Sequence, residues 1–89
     1  HTCAVTTSGG AQCWGRNNAG QLGDNSTTNR LAPMAVSGLT SGVASLTAGN
    51  YLTCAVTTSG GAQCWGYNNT GQLGDNSTTR RLTPVDVSP

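Results

Sequence analysis

Lysine, glutamate, isoleucine and phenylalanine are absent from this 89-residue chain. Charged side chains are only 8% of it, four Arg and three Asp, with a formal net charge of +1. So little positive charge excludes the electrostatic footprint of a nucleic-acid binder or of a protein held on an anionic membrane. No apolar run approaches the ~18 residues of a membrane span, so membrane insertion is not expected. No basic-then-apolar leader is present, and the chain opens on His1 rather than Met, which reads as a processed or excised piece. Catalytic equipment is missing too. There is one His, at the terminus, and no pair of acids placed for general acid–base work. The sequence reads as a non-enzyme that needs no cofactor.

The core-forming residues are few. Leu and Val total 13. What fills the chain instead is Thr (14), Gly (13), Ser (8) and Asn (8). Thr, Val, Trp and Tyr favour a pleated strand, while Gly and Asn favour turns. The composition predicts an ordered, turn-rich all-β protein with a thin core. Such a core needs help from disulfides, neighbouring repeats or partner chains.

A repeat governs the whole sequence. Shifted by 51 positions, residues 1–38 overlay residues 52–89 with 30 of 38 pairs identical. The run TCAVTTSGGAQCWG occupies Thr2–Gly15 and Thr53–Gly66, and GQLGDNSTT occupies Gly20–Thr28 and Gly71–Thr79. Leu39–Tyr51 occurs once. A period of this length implies one supersecondary unit per repeat, buried by stacking on its neighbours. Residues 1–38 are then a repeat lacking its leading strand, and residues 39–89 a complete one. Together they make about 1.75 repeats of one array. The shortfall leaves two readings: a window of a longer array, or several chains that assemble.

Four short antiparallel strands per complete repeat make a β-propeller blade. Val43–Ala48 alternates Val, Ser and Thr with Ala, Leu and Ala, which predicts the Ala and Leu side chains on one face. It is assigned as the inner strand. A Gly49-Asn50 turn leads to Thr53–Thr57. Ser59-Gly60-Gly61 supplies the hairpin turn, and Ala62–Trp65 returns. Gly66–Thr79 is too rich in Gly and Asn for a helix. Val85–Val87 is the predicted fourth strand, at an edge that tolerates Pro84.

The order TCAV, Gly-containing hairpin, CWG, NNxGQLGD, then a Pro before a Val-rich strand resembles the regulator-of-chromosome-condensation repeat. That resemblance covers nearly the whole chain. It implies the blade of a seven-bladed propeller and a habit of protein binding, and it transfers no functional site. The Cys-bearing form, TCAV…CWG, is similar to secreted bacterial members.

Cys3 and Cys13 are ten apart, as are Cys54 and Cys64. A turn centred on Ser8 sets Cys3 opposite Cys13, and this predicts two disulfides within hairpins, Cys3–Cys13 and Cys54–Cys64. Four reduced buried thiols are the other reading. A zinc site wants tighter spacing and usually His. Two bridges imply an oxidising compartment, so the expected setting is extracellular or at a cell surface. Trp14 and Trp65 either pack between blades or, in a lectin-like alternative, face a glycan. Asp24 and Asp75 read as turn caps, each alone too poor in ligands for calcium. Asn25, Asn68 and Asn76 match the N-glycosylation acceptor pattern. Arg16/Tyr67, Ala19/Thr70 and Asn29/Arg80 are repeat positions that differ, read as surface or loop positions with no shared ligand. The expected function is a structural or protein-binding segment whose open edges pair with further copies or repeats of itself, in a ring or a filament. Another protein is a further possible partner.

Overall fold

The structure is a computed structural model in which residues 1–87 are described. These contain seven strands and no helix. The strands are β1 (Thr2–Val5), β2 (Ala11–Gly15), β3 (Arg30–Ala35), β4 (Val43–Ala48), β5 (Leu52–Thr57), β6 (Ala62–Gly66) and β7 (Arg81–Asp86). They form two antiparallel sheets, one ordered β1-β2-β3 and one ordered β4-β5-β6-β7. The β1–β2 hairpin closes through a turn in which Gly9 N donates to Thr6 O (2.9 Å) and Thr6 N to Gly10 O (2.8 Å). Gly9 takes the positive φ (84°) that this three-residue loop requires. The resulting register puts Cys3 opposite Cys13, and the same arrangement puts Cys54 opposite Cys64.

Two strands differ from their sequence assignment. β7 starts at Arg81, four residues before the predicted Val85, and ends at Asp86. The pairing with β6 slips between Cys64 and Gly66, so Leu82, Thr83 and Pro84 stand against Trp65 alone. Pro84 has no N–H to give, and this bulge at the sheet edge is where it fits. In β4 the expected Ala/Leu/Ala face does not form. The register with β5 shifts between Val43 and Ser45. That extra residue reverses the alternation, so Val43 is buried and Leu46 half-buried while Ala44 and Ala48 are exposed. β4 forms one edge of its sheet and lies against β1.

The core lies between the sheets. Ala11, Cys13, Leu22 and Val36 from the first repeat meet Leu39, Val43, Ala55 and Trp65. Backbone hydrogen bonds tie the halves together as well. Ala11 N donates to Leu39 O (2.8 Å), Val43 N to Gly9 O (2.9 Å) and Asn25 N to Leu82 O (3.0 Å).

Candidate functional site

The long loop of each repeat is organised by one buried asparagine. Asn17 Oδ1 accepts from Leu22 N (2.9 Å), and its Nδ2 group is directed at Asp24 Oδ1 (3.1 Å), Ser26 O (3.0 Å) and Thr28 O (3.0 Å). Asn68 makes the same set with Leu73, Asp75, Ser77 and Thr79. Asp24 caps its turn through Ser26 N (3.2 Å) and Ser26 Oγ (2.7 Å), then pairs with Arg30 Nε at 2.9 Å. Asp75 repeats this with Ser77 and with Arg81 Nε at 2.7 Å. Burial pushes the Asp24 carboxyl up, but the Ser26, Arg30 and Asn17 hydrogen bonds and the Arg30 charge outweigh it and leave the pKa lowered. For Asp75 the Ser77 and Arg81 hydrogen bonds dominate, and its pKa falls to about 2.

This rigid loop presents a docking point to the next sheet. Gln21 O accepts from Trp65 Nε1 (2.9 Å) and from Thr53 Oγ1 (2.6 Å). Thr53 gives its one hydroxyl proton there, so its oxygen accepts from His1 Nε2 at 2.8 Å. The indole slides over Gly23, where a Cβ would meet Trp65 Nε1 at 2.6 Å and Val36 Cγ1 at 2.9 Å. Trp65, Thr53 and Gln21 are all at most 1% exposed.

The equivalent residues on the outer sides are open. Trp14 is half-buried, Thr2 and Gln72 are exposed, and among the described residues Trp14 makes no indole hydrogen bond. One side therefore presents an indole and a threonine hydroxyl, and the Gln72 carbonyl stands at the loop position equivalent to Gln21 on the other. A surface of each kind already docks its complement inside the chain.

The remaining sequence candidates fall as follows. Cys3–Cys13 and Cys54–Cys64 are bonded within their hairpins, with Cα atoms 4.1 Å apart in each pair. Trp65 is enclosed and faces no ligand, so the glycan-facing alternative loses that residue. Asn68 is fully buried with its amide engaged, which removes it as a glycosylation acceptor. Its place in the Asn-x-Thr pattern reflects the loop's internal bonding. Asn25 and Asn76 are exposed, each at a φ of 64°. Ala19 lies in a turn of the long loop, as the surface-or-loop reading allowed, but is buried there, whereas Arg16 and Tyr67 are exposed. Sequence reasoning missed Gln21, whose backbone carbonyl, not its side chain, carries the docking. It also missed the gathering of Tyr51, Tyr67, Arg16 and Arg80 at one end of the sheets, because the first of these lies in the segment that does not repeat.

Comparison with known proteins agrees with this architecture. Residues 8–56 and 59–89 match the model of the regulator of chromosome condensation (RCC1) repeat, and residues 43–72 match a second model of that repeat. The chain is 38% identical over 89 residues to the ultraviolet-B receptor UVR8 of Arabidopsis thaliana, spanning 99% of this chain and 20% of the receptor. It is 38% identical over 88 residues to the human probable E3 ubiquitin-protein ligase HERC4, covering 98% of this chain and 8% of that protein. It is 39% identical over 89 residues to human RCC2, covering 98% of this chain and 17% of that protein. The chain thus spans about a fifth or less of these relatives. With its paired loops and hairpins in the order of that repeat, the chain belongs to the regulator of chromosome condensation repeat family.

Proposed function

We propose that this chain is a structural, protein-binding segment of a β-propeller, and that its two outer sides take up further repeats of the same kind, in one longer polypeptide or in a second copy. The observation that carries this reading is the Trp65–Gln21 lock. The unit contains one completed lock and, on its two outer sides, one unfilled half of each kind. Burying the second indole and giving its N–H a carbonyl adds hydrophobic and hydrogen-bond stabilisation together. A contact of this head-to-tail type closes into a ring or continues as a filament. The disulfides suit an oxidising setting, and an extracellular or cell-surface location, of the secreted Cys-bearing kind, goes with this proposal.

Sedimentation velocity of the purified chain over a wide concentration range is the test. The expected result is concentration-dependent association that Trp14→Glu weakens while circular dichroism stays β-rich, because Trp14 is not part of the internal lock. A cooperatively folding monomer at every concentration, unaffected by Trp14→Glu, would overturn the proposal.

A further inference from the structure

A continuous trough crosses the end of the sheets that carries the β4–β5 turn and the long loops. Three adjoining depressions of about 210, 500 and 380 Å³ share walls. Asn50 and Tyr51 line the first two, and Asn18, Ala19 and Tyr67 line the last two. Arg16 stands at one end and Arg80 at the other. Tyr51 and Tyr67 occupy the middle, each 38% exposed, with ring centroids 6.3 Å apart and planes tilted by 60°.

Three independent features mark this trough as more than a surface irregularity. The first is conformational. Tyr51 is held at a φ of 66°, a left-handed conformation that strains a bulky side chain, and Tyr67 N locks it by donating to Tyr51 O (2.9 Å). The second is the distribution of differences between the repeats. Of eight mismatched positions in 38, four place residues on the trough: His1 with Leu52, Arg16 with Tyr67, Ala19, and Arg80. Half of the varied positions therefore meet at this one trough, while the disulfide-bonded hairpins are identical between the repeats. The third is charge. Arg30 and Arg81 are tied to Asp24 and Asp75, so the guanidiniums without a carboxylate among the described residues are Arg16 and Arg80. No acidic residue lines any of the three depressions. Arg80 is held at the rim by its hydrogen bond to Asn18 O (3.3 Å).

We propose that this trough binds an extended acidic peptide segment of a partner protein. One apolar or aromatic side chain of the peptide seats between Tyr51 and Tyr67. Carboxylates on either side reach Arg16 and Arg80, and the amides of Asn18, Asn50 and Gln72 meet the peptide backbone. Tyr and Arg are the residues that anchor such contacts, through rigid aromatic area and forked hydrogen bonding. Two separated cations around an apolar centre suit a peptide better than a sulfated polysaccharide, which wants contiguous basic charge. The trough shares Gln72 with the open loop side of the preceding proposal, whereas Tyr51, Tyr67, Arg16 and Arg80 take no part in the lock, so variants at those four test the peptide reading apart from stacking.

Fluorescence anisotropy tests it, with a fluorescein-labelled eight-residue peptide carrying three acidic residues on each side of a central Leu-Tyr pair. The probe is titrated with the protein that carries this chain. Binding is expected to weaken with salt. It is expected to fall at least about tenfold for Tyr67→Ala, for the combined Arg16→Ala and Arg80→Ala variant, and for the peptide with its acids amidated. Tyr51→Gly should weaken binding while leaving the thermal melt unchanged or higher, since glycine accepts the positive φ. Arg16 is exposed, so Arg16→Ala alone reports even where a tyrosine variant folds poorly. The proposal is overturned by absence of binding, by equal binding in the variants, or by a heparin fragment competing for Arg16 and Arg80 while the peptide does not bind.

Discussion

The carbonyl oxygen of Gln21 joins the two sheets because it has two lone pairs and two donors meet there, an indole N–H and a threonine hydroxyl. Truncating Trp65 to Ala removes a fully buried ring and opens a cavity, which is expected to destabilise the chain by roughly 3–5 kcal/mol in a denaturant titration. Trp14→Ala in the same repeat context should lose much less, since its indole is only half-buried. The carboxylates at this scale predict a response to acid. Both Asp24 and Asp75 have folded pKa values below the ordinary 3.8, that of Asp75 about 2. Their stabilisation is complete above the unfolded value and disappears as pH falls through the folded one. The melting temperature should therefore be level above about pH 5 and fall between about pH 4 and pH 2. Asp75→Asn should lower stability near neutrality and flatten that acid slope, as thermal melts across this range would show.

At the level of elements, hairpin and loop use different means. The hairpin is held by a glycine-closed turn and a disulfide across directly opposed residues. Replacing Cys54 and Cys64 by Ser is expected to remove about 2.5–3 kcal/mol on the chain-entropy estimate for so short a loop, measured by chemical denaturation. The loop has no ladder of its own, and Asn17 supplies the missing partners. Asn17→Ala leaves Leu22 N and the Ser26 and Thr28 carbonyls short of their bonds, so a loss of at least about 2 kcal/mol is expected. Gly23→Ala should act on the junction between the sheets. Its positive φ (71°) and the 2.6 Å approach to the indole leave no room for a methyl group. Trp65 fluorescence, shifted toward that of an exposed indole, would report it.

For the molecule as a whole, head-to-tail addition rests on one internal junction, the Trp65–Gln21 lock, and on the open counterparts of its two halves. If the open sides are complementary, mixing Trp14→Glu protein with unmodified protein should terminate assemblies at one side only. Light scattering would then show shorter species than the unmodified protein forms, and no change in size would argue against head-to-tail addition. The trough and the open loop side meet at Gln72, so a bound peptide and a stacked neighbour share one border of the unit.

The amino-acid order by itself determined the all-β class, the 51-residue unit, the hairpins and the pairing of Cys3 with Cys13, because each rests on spacing along the chain and on turn residues that act locally. The same local reading put the Asp side chains at turns. It misplaced the faces of β4 and the start of β7, since neither the one-residue bulge in β4 nor the set of three residues against Trp65 in β7 leaves a mark in an alternating pattern. It could only note that Asn68 matches the acceptor pattern, because the bonds that bury it come from residues up to eleven positions away, closed only when the loop folds. It had no means to find the Gln21 carbonyl, since every residue has one and only the packing of Trp65 against Gly23 selects it. Nor could it assemble the trough, whose tyrosines and arginines are drawn from both repeats and from the single segment between them. Tertiary structure decided those, because they depend on where one sheet settles against the other.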